Sequence, residues 1–379
     1  MTVKLAGSRR LAGVAAISAL ALALAACGGS GDNSGGAGGG AGGGNGGGSD
    51  LSGDLPGAGA SSQEAAMAGW LAGFQEQHPG VNITYDAVGS STGREQFLQG
   101  ATLWGGSDST FDEEELQAGS ERCYGGEVLE LPVYISPIAL AYNLPDVGVD
   151  HLNLRPEVIA GIFNGDITSW DDPAIAEDNP EANLPSLDVV PVNRSDGSGT
   201  TENFTEYLAD AGGDAWPHEP SDTWPISGTQ SGAQTDGVLG TVSSAEGAIG
   251  YADASQVPDS LGTAAVGVGE EFVPYSPDAA AAVVDGSEPA EDANDLRLTI
   301  ELSRDIEGTY PIVLVSYEFA CSVYESQADV ENVQAILSYI ASEEGQQRAA
   351  DPAVAGSAPI SDDLRSQIEA AIEQISVAE

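Results

Sequence analysis

The sequence predicts an α/β protein of two domains, on three observations. From Leu51 to Glu379 short strands alternate with amphipathic helices. The chain has 379 residues, which at roughly 150 residues per domain suggests two. Its 41% hydrophobic content is enough to fill real cores. Composition also excludes functions. With 59 Asp and Glu against 11 Lys and Arg, the formal net charge is −48. That charge opposes the phosphate-backbone contacts behind nucleic-acid affinity, and no basic stretch follows the first ten residues to serve a membrane-surface patch.

Taken in order, the chain opens with an address. Lys4, Arg9 and Arg10 precede an apolar run from Leu11 to Ala26, interrupted by Gly13 and Ser18. This is the layout of a secretory signal peptide, shorter than the roughly 20 apolar residues of a spanning helix. Leu24-Ala25-Ala26-Cys27 resembles the lipobox of bacterial lipoproteins, which makes Cys27 the expected lipidation site and residues 1–27 the signal; the alternative is an ordinary secretory signal with an incidental cysteine. Residues 28–50 hold 14 Gly among 23 positions, a composition that buries nothing and spans about 25–30 Å as a coil, as a tether would. Without residues 1–27 the chain has eight Arg, no Lys and a net charge of −51. Self-repulsion of that size asks for salt screening, so a salt-adapted source and an acidic secreted protein are both open.

Gln63 to Gln77 places Met67, Trp70, Leu71 and Phe74 on one face and reads as a helix, and Val81–Tyr85 as a strand. Val128–Asn143 is a long apolar segment broken by Pro132 and Pro137, matched late in the chain by Tyr310–Ala320. Two such strands could pair as a hinge. The end is helical, with Val330, Val333, Leu337 and Ile340 on one stripe and Leu364, Ile368, Ile372 and Ile375 on another. Cys123 and Cys321 each lie within about ten residues of one hinge strand, and an exported compartment permits their disulfide; two buried free thiols are the alternative.

Three turns combine Ser, Thr and Gly just before a helix: Gly57–Ser62, Gly89–Gly93 and Asp196–Thr201. Small residues let the backbone approach a ligand, hydroxyls donate, and the first N–H groups of a helix lack internal partners, so each is a potential anion site. One such turn is ordinarily an N-cap; three in one chain, the last behind Arg194, point to an oxyanion. Arg194 can grip an oxyanion with two nitrogens, and Asp196 two residues on would orient it or compete for it. Gly89–Gly93 also fits G-x-S-x-G, which makes Ser91 the candidate nucleophile of a serine hydrolase, with only His151 and His218 available downstream as its base. The scattered His residues give no zinc spacing, and no P-loop is present.

Gly165-Asp166-Ile167-Thr168-Ser169-Trp170-Asp171-Asp172-Pro173, then Arg194-Ser195-Asp196-Gly197-Ser198-Gly199-Thr200-Thr201, then Gly247–Tyr251 together resemble the phosphate-binding lipoproteins of the phosphate-specific ABC transport system. The resemblance covers about residues 55–350. It implies a two-domain periplasmic-binding-protein fold of type II, with two hinge crossovers and the ligand in the interdomain cleft. Domain one would be 51–132 plus 308–379 and domain two 133–307. It implies a phosphate site of Ser61, Ser62, Ser90, Asp108, Arg194, Asp196, Ser198, Gly199 and Thr200, with no catalytic residue, metal or cofactor. The first loop departs most, since Ser62-Gln63-Glu64 replaces an apolar, proline-containing run. Implied partners are inorganic phosphate and the transmembrane subunits of an ABC permease, for a monomer held outside the cell membrane by its lipid. A site for molybdate or sulfate is the alternative within the fold. Asp108 argues against it: protonated phosphate donates to a carboxylate, whereas sulfate brings a second negative group to it.

Overall fold

The structure is a computed structural model that describes residues 51–378. The proposed signal peptide, Cys27 and the glycine-rich tether lie outside the described residues. Among the described residues no helix is long and apolar enough to cross a membrane.

One curled sheet organises the chain. Off its main path, Gly262–Val268 branches from Val128–Tyr142 and pairs Leu152–Leu154 and Glu271–Val273. Along the main path the strands run in the order Val81–Asp86, Gly53–Gly59, Trp104–Ser107, Val313–Cys321, Val128–Tyr142, Ala248–Asp253, Val190–Arg194 and Gln230–Gly232. The first three are parallel to one another, as are the last three. Between these two parallel groups stand the two long strands, paired antiparallel from Val313 opposite Pro137 to Cys321 opposite Val128. They are the crossovers of a two-lobed fold. Helices follow the parallel strands, so the carboxyl ends of both groups, where α/β sheets bind ligands, open toward the cleft.

Val128–Tyr142 runs unbroken as one strand through both prolines of the apolar segment. Each proline sits where its missing N–H does little harm. The register shifts beside Pro132, because Tyr317 opposes Pro132 while Ser316 opposes Tyr134, so Val133 is bulged out. Pro137 ends the ladder with Val313–Cys321, and pairing with Ala248–Asp253 begins at the next residue, Ile138. All 15 residues of the strand are buried, which is why a continuous apolar run serves it.

Helices start where cap chemistry dictates. Glu113–Arg122, which the hydrophobic pattern alone did not reveal, carries a reciprocal capping box between Asp112 and Glu115. Ser276, Ser326 and Ser361 each cap a later helix by accepting a backbone N–H. The Trp170–Pro173 motif turns out to be architectural. Trp170 is fully buried with its indole N–H on the Gly247 carbonyl at 2.9 Å, and Asp172 caps the helix that Pro173 opens.

Cys123 and Cys321 form a disulfide with Cα atoms 5.1 Å apart, joining the end of helix Glu113–Arg122 to the end of the second crossover strand. Because 198 positions separate them, replacing both with Ser is expected to cost about 2–5 kcal/mol by freeing a long loop in the unfolded chain. The check is a urea midpoint lowered to the same value as that of the reduced protein; an unchanged midpoint would show that the bridge constrains nothing.

Candidate anion-binding site

Four helix starts converge on the cleft. Helices Glu64–Gln77 and Ser90–Leu98 come from one lobe, and Gly199–Ala211 and Gln234–Ser244 from the other. The sequence pointed to three of them. The fourth went unread because Ser231-Gly232-Ala233-Gln234-Thr235 lacks the dense Ser/Thr/Gly pattern.

Glycine lets the elements close in. Gly89 precedes helix Ser90–Leu98 at φ 96°, and a Cβ there would lie 2.7 Å from Asp196 Oδ2 and 3.3 Å from Arg194 Nη2. No other residue satisfies both the backbone and the space. Gly93 packs on Gly59, so the helix sits against the strand that carries the first loop.

Asp108 is the hub. Ser62 Oγ donates to both its carboxylate oxygens, at 2.7 and 2.8 Å, Thr200 Oγ1 donates to Oδ2 at 2.8 Å, and Ser316 Oγ to Oδ1 at 2.5 Å. Three hydroxyls from the first loop, the opposite lobe and a crossover strand thus meet on one carboxylate that is 3% exposed. The Asp108 backbone N–H donates to Ser90 Oγ at 3.1 Å, and its carbonyl accepts from Asn203 Nδ2. Ser61 Oγ lies 3.1 Å from Thr235 Oγ1 across the cleft, and Gln256 Nε2 donates to the carbonyls of Ser61 and Ser62. These bonds between lobes describe a closed cleft.

Arg194 is buried and uses Nε and Nη2 on Asp196, at 2.9 and 2.5 Å. Asp196 therefore orients the guanidinium, and Gln234 N–H braces the same carboxylate at 3.0 Å. Burial works to raise the Asp196 carboxyl, but Arg194 and the Gln234 N–H outweigh it and hold it below the usual carboxylate range. Ser198 Oγ accepts from the Thr201 N–H as the cap of helix Gly199–Ala211, so its hydroxyl is a local support. Gly199 presses its backbone against Asp108 and Ser109.

Sequence reasoning missed Ser316, Asn203, Thr235 and Gln256, which earn their places through contacts spanning 95 positions or more in sequence. The one local signal was a lone serine inside the apolar run of the second crossover. Arg94 was also passed over. It is buried, holds Glu115 with Nε and donates from Nη1 to Ser107 and Ser109 Oγ, so it props the two residues flanking Asp108.

Next to Asp108 a cavity of about 390 Å³ is lined by Glu202, Glu206, Asp210, Glu301 and Arg304. Its one cation is spent on Glu206 at 3.1 Å. Burial, then repulsion from Glu206, pushes Glu202 up to about 7. With one cation among these carboxylates, this space suits an anion poorly.

The hydrolase arrangement is not assembled. Ser91 Oγ donates to Asp222 at 2.7 Å, His151 bonds Thr263, and His218 bonds Asn164. Among the described residues no group of His, Cys, Asp and Glu could hold a metal ion.

Known proteins match this architecture. The profile of the PBP superfamily domain matches residues 42–344. A Mycobacterium leprae protein named phosphate-binding protein PstS 3 is 35% identical over 326 residues, covering 84% of this chain and 86% of its own. The Mycobacterium tuberculosis protein of that name is 33% identical over 370 residues, 96% of this chain and 98% of its own. Among solved structures, a phosphate-binding protein from Stenotrophomonas maltophilia superposes with a TM-score of 0.64 at 19% identity, covering 84% of this chain and 94% of its own, a likeness of fold. The chain belongs to the PBP superfamily and, within it, to the PstS family of phosphate-binding proteins.

Proposed function

We propose that the protein is an extracytoplasmic solute-binding protein that closes on inorganic phosphate and delivers it to an ABC permease, without catalysis. The observation that carries this reading is Asp108, a carboxylate set among donors. Helix N-termini, hydroxyls and Arg194 suit any tetrahedral oxyanion, whereas a carboxylate among them suits one that still carries a proton. The names of the relatives support the same ligand. Ser61, Ser62, Ser90, Arg194, Gly199 and Thr200 would form the donor set, with Ser198 as the cap that shapes its third loop and Asp196 as the brace of Arg194.

The working lobes are 51–132 with 308–379, and 133–307. Close to the second crossover the Tyr310 N–H donates to Ala279 and its hydroxyl to Ile138, both in the second lobe. Cys27 would carry the lipid that holds a monomer to the outer membrane face, with residues 28–50 as its tether.

Calorimetric titration with phosphate and then sulfate tests the reading. Micromolar or tighter phosphate binding, about −8 kcal/mol or better, with no sulfate heat is the expected result; equal binding of both anions, or of neither, would sink it. Gly89→Ala is expected to weaken phosphate about tenfold or more, through the positive φ and the contact with Asp196. The same titration reads it, and an unaltered affinity would mean that the Gly89 turn is not part of the site.

A further inference from the structure

Two positions beyond Ser316 on the second crossover strand, Glu318 is fully buried, and neither carboxyl oxygen has a well-formed hydrogen bond. The strand pairs it with Gly106 on one side and Leu131 on the other. The polar groups that face it are the Gln63 amide from the first ligand loop, the Tyr85 hydroxyl from strand Val81–Asp86, and Asp108. Among the described residues it has no ion pair with a basic side chain. An isolated carboxylate in a dry interior is too costly to persist, and a neighbouring negative group makes it more so. Burial first, and the Asp108 charge second, push the Glu318 carboxyl well above the usual range against the opposing Gln63 bond.

A neutral carboxylic acid has a proton to give, and the Gln63 amide that bonds it has an acceptor left over. Gln63 is fully buried, and its Oε1 has no partner. Its Nε2 donates to Tyr85 Oη at 3.3 Å, and Tyr85 in turn donates to the Ala60 carbonyl at 3.1 Å. Ala60 immediately precedes Ser61 and Ser62.

We propose that Glu318 is a positioning residue of the anion site: in its neutral form it donates to Gln63 Oε1 and, through Tyr85 and Ala60, fixes the backbone that presents Ser61 and Ser62. This rests on the anion reading of the site. Ionisation of Glu318 removes the donor and sets a second negative charge next to Asp108. Alkaline pH therefore loosens the loop and the ligand together, with no change in any residue that touches the anion.

The test compares the wild-type chain, Glu318→Gln and Gln63→Leu by titration with inorganic phosphate from pH 6 to 9.5. Phosphate's own ionisation is common to all three proteins, so the ratio of affinities isolates the side chain. Glu318→Gln keeps a neutral donor. The ratio of its affinity to the wild type's is expected near one at pH 6 and to rise by up to about tenfold per pH unit once Glu318 titrates. Gln63→Leu removes the acceptor and is expected to bind more weakly at every pH. Superimposable pH profiles for wild type and Glu318→Gln would overturn the proposal.

A ligand-free arm separates it from the anion reading. The folded chain holds a proton that the unfolded chain releases, so wild-type stability to urea should fall as pH rises above the ordinary carboxyl range, with a slope that Glu318→Gln lacks. If that slope difference appears while wild type binds no phosphate, the anion reading and the positioning role both fall, although Glu318 is shown to be neutral. If wild type binds phosphate and the slope difference is absent, the proposal alone fails.

Discussion

Asp108→Asn is expected to collapse the discrimination between phosphate and sulfate. A carboxylate offers about four acceptor positions, and the hydroxyls of Ser62, Thr200 and Ser316 bring it three protons, that of Ser62 shared between both oxygens. Three protons for about four positions leave the carboxylate able to accept a fourth, which the ligand must bring. Hydrogen phosphate brings one. Sulfate does not, and meets a buried negative charge instead. Sites built around an obligatory hydrogen bond reject the analogue lacking it by about 10⁴–10⁵-fold. Asparagine keeps the volume, removes the charge and turns one acceptor into a donor, so sulfate finds a partner where it met repulsion. The expected result is a phosphate-to-sulfate affinity ratio reduced by about 10²-fold or more. Calorimetry with both anions, at low and at molar salt, decides it. A mutant that weakens both anions equally would show that Asp108 is a brace for Ser62 and Thr200 and not the element that chooses.

Much of this site was legible because its donors are local. Asp196-Gly197-Ser198-Gly199-Thr200 announces a capped helix start next to an arginine, and the Gly89 turn announces another. The hinge was readable for a similar reason: a strand buried on both faces must be apolar throughout, so Val128–Asn143 and Tyr310–Ala320 stood out. The two prolines did not undo that reading, because a bulge and a change of partner absorbed them. What local sequence cannot express is convergence. Ser316 reaches Asp108 across 208 positions and Gln256 reaches Ser61 across 195. A single hydroxyl in an apolar strand is at most a hint, and a glutamine in a loop is not even that; both gain meaning only once the lobes close.

Arg194→Met is expected to be the most damaging substitution in the donor set, and its size follows from where the charge sits. The Arg194 side chain is 3% exposed and its Asp196 partner 20%. A charge-assisted hydrogen bond to a ligand contributes about 1.5–3 kcal/mol, or roughly 10- to 150-fold in affinity. Removing the guanidinium also strands the Asp196 carboxylate beside the ligand, unpaired, and breaking such a pair costs about 3–5 kcal/mol. The single mutant should therefore lose phosphate affinity by more than about 10²-fold and lose stability as well. Arg194→Lys should rescue little, because one ammonium cannot span both Asp196 oxygens and still face the cleft. The informative partner is Asp196→Asn, which frees the guanidinium from its brace and removes the competing charge. If Asp196 serves to orient Arg194, this mutant binds phosphate more weakly despite its smaller negative charge; if Asp196 chiefly competes, it binds more tightly. Joining Arg194→Met to Asp196→Asn should restore stability, since no charge is left unpaired, while leaving affinity low. A double mutant that regains affinity would place the anion elsewhere than on Arg194.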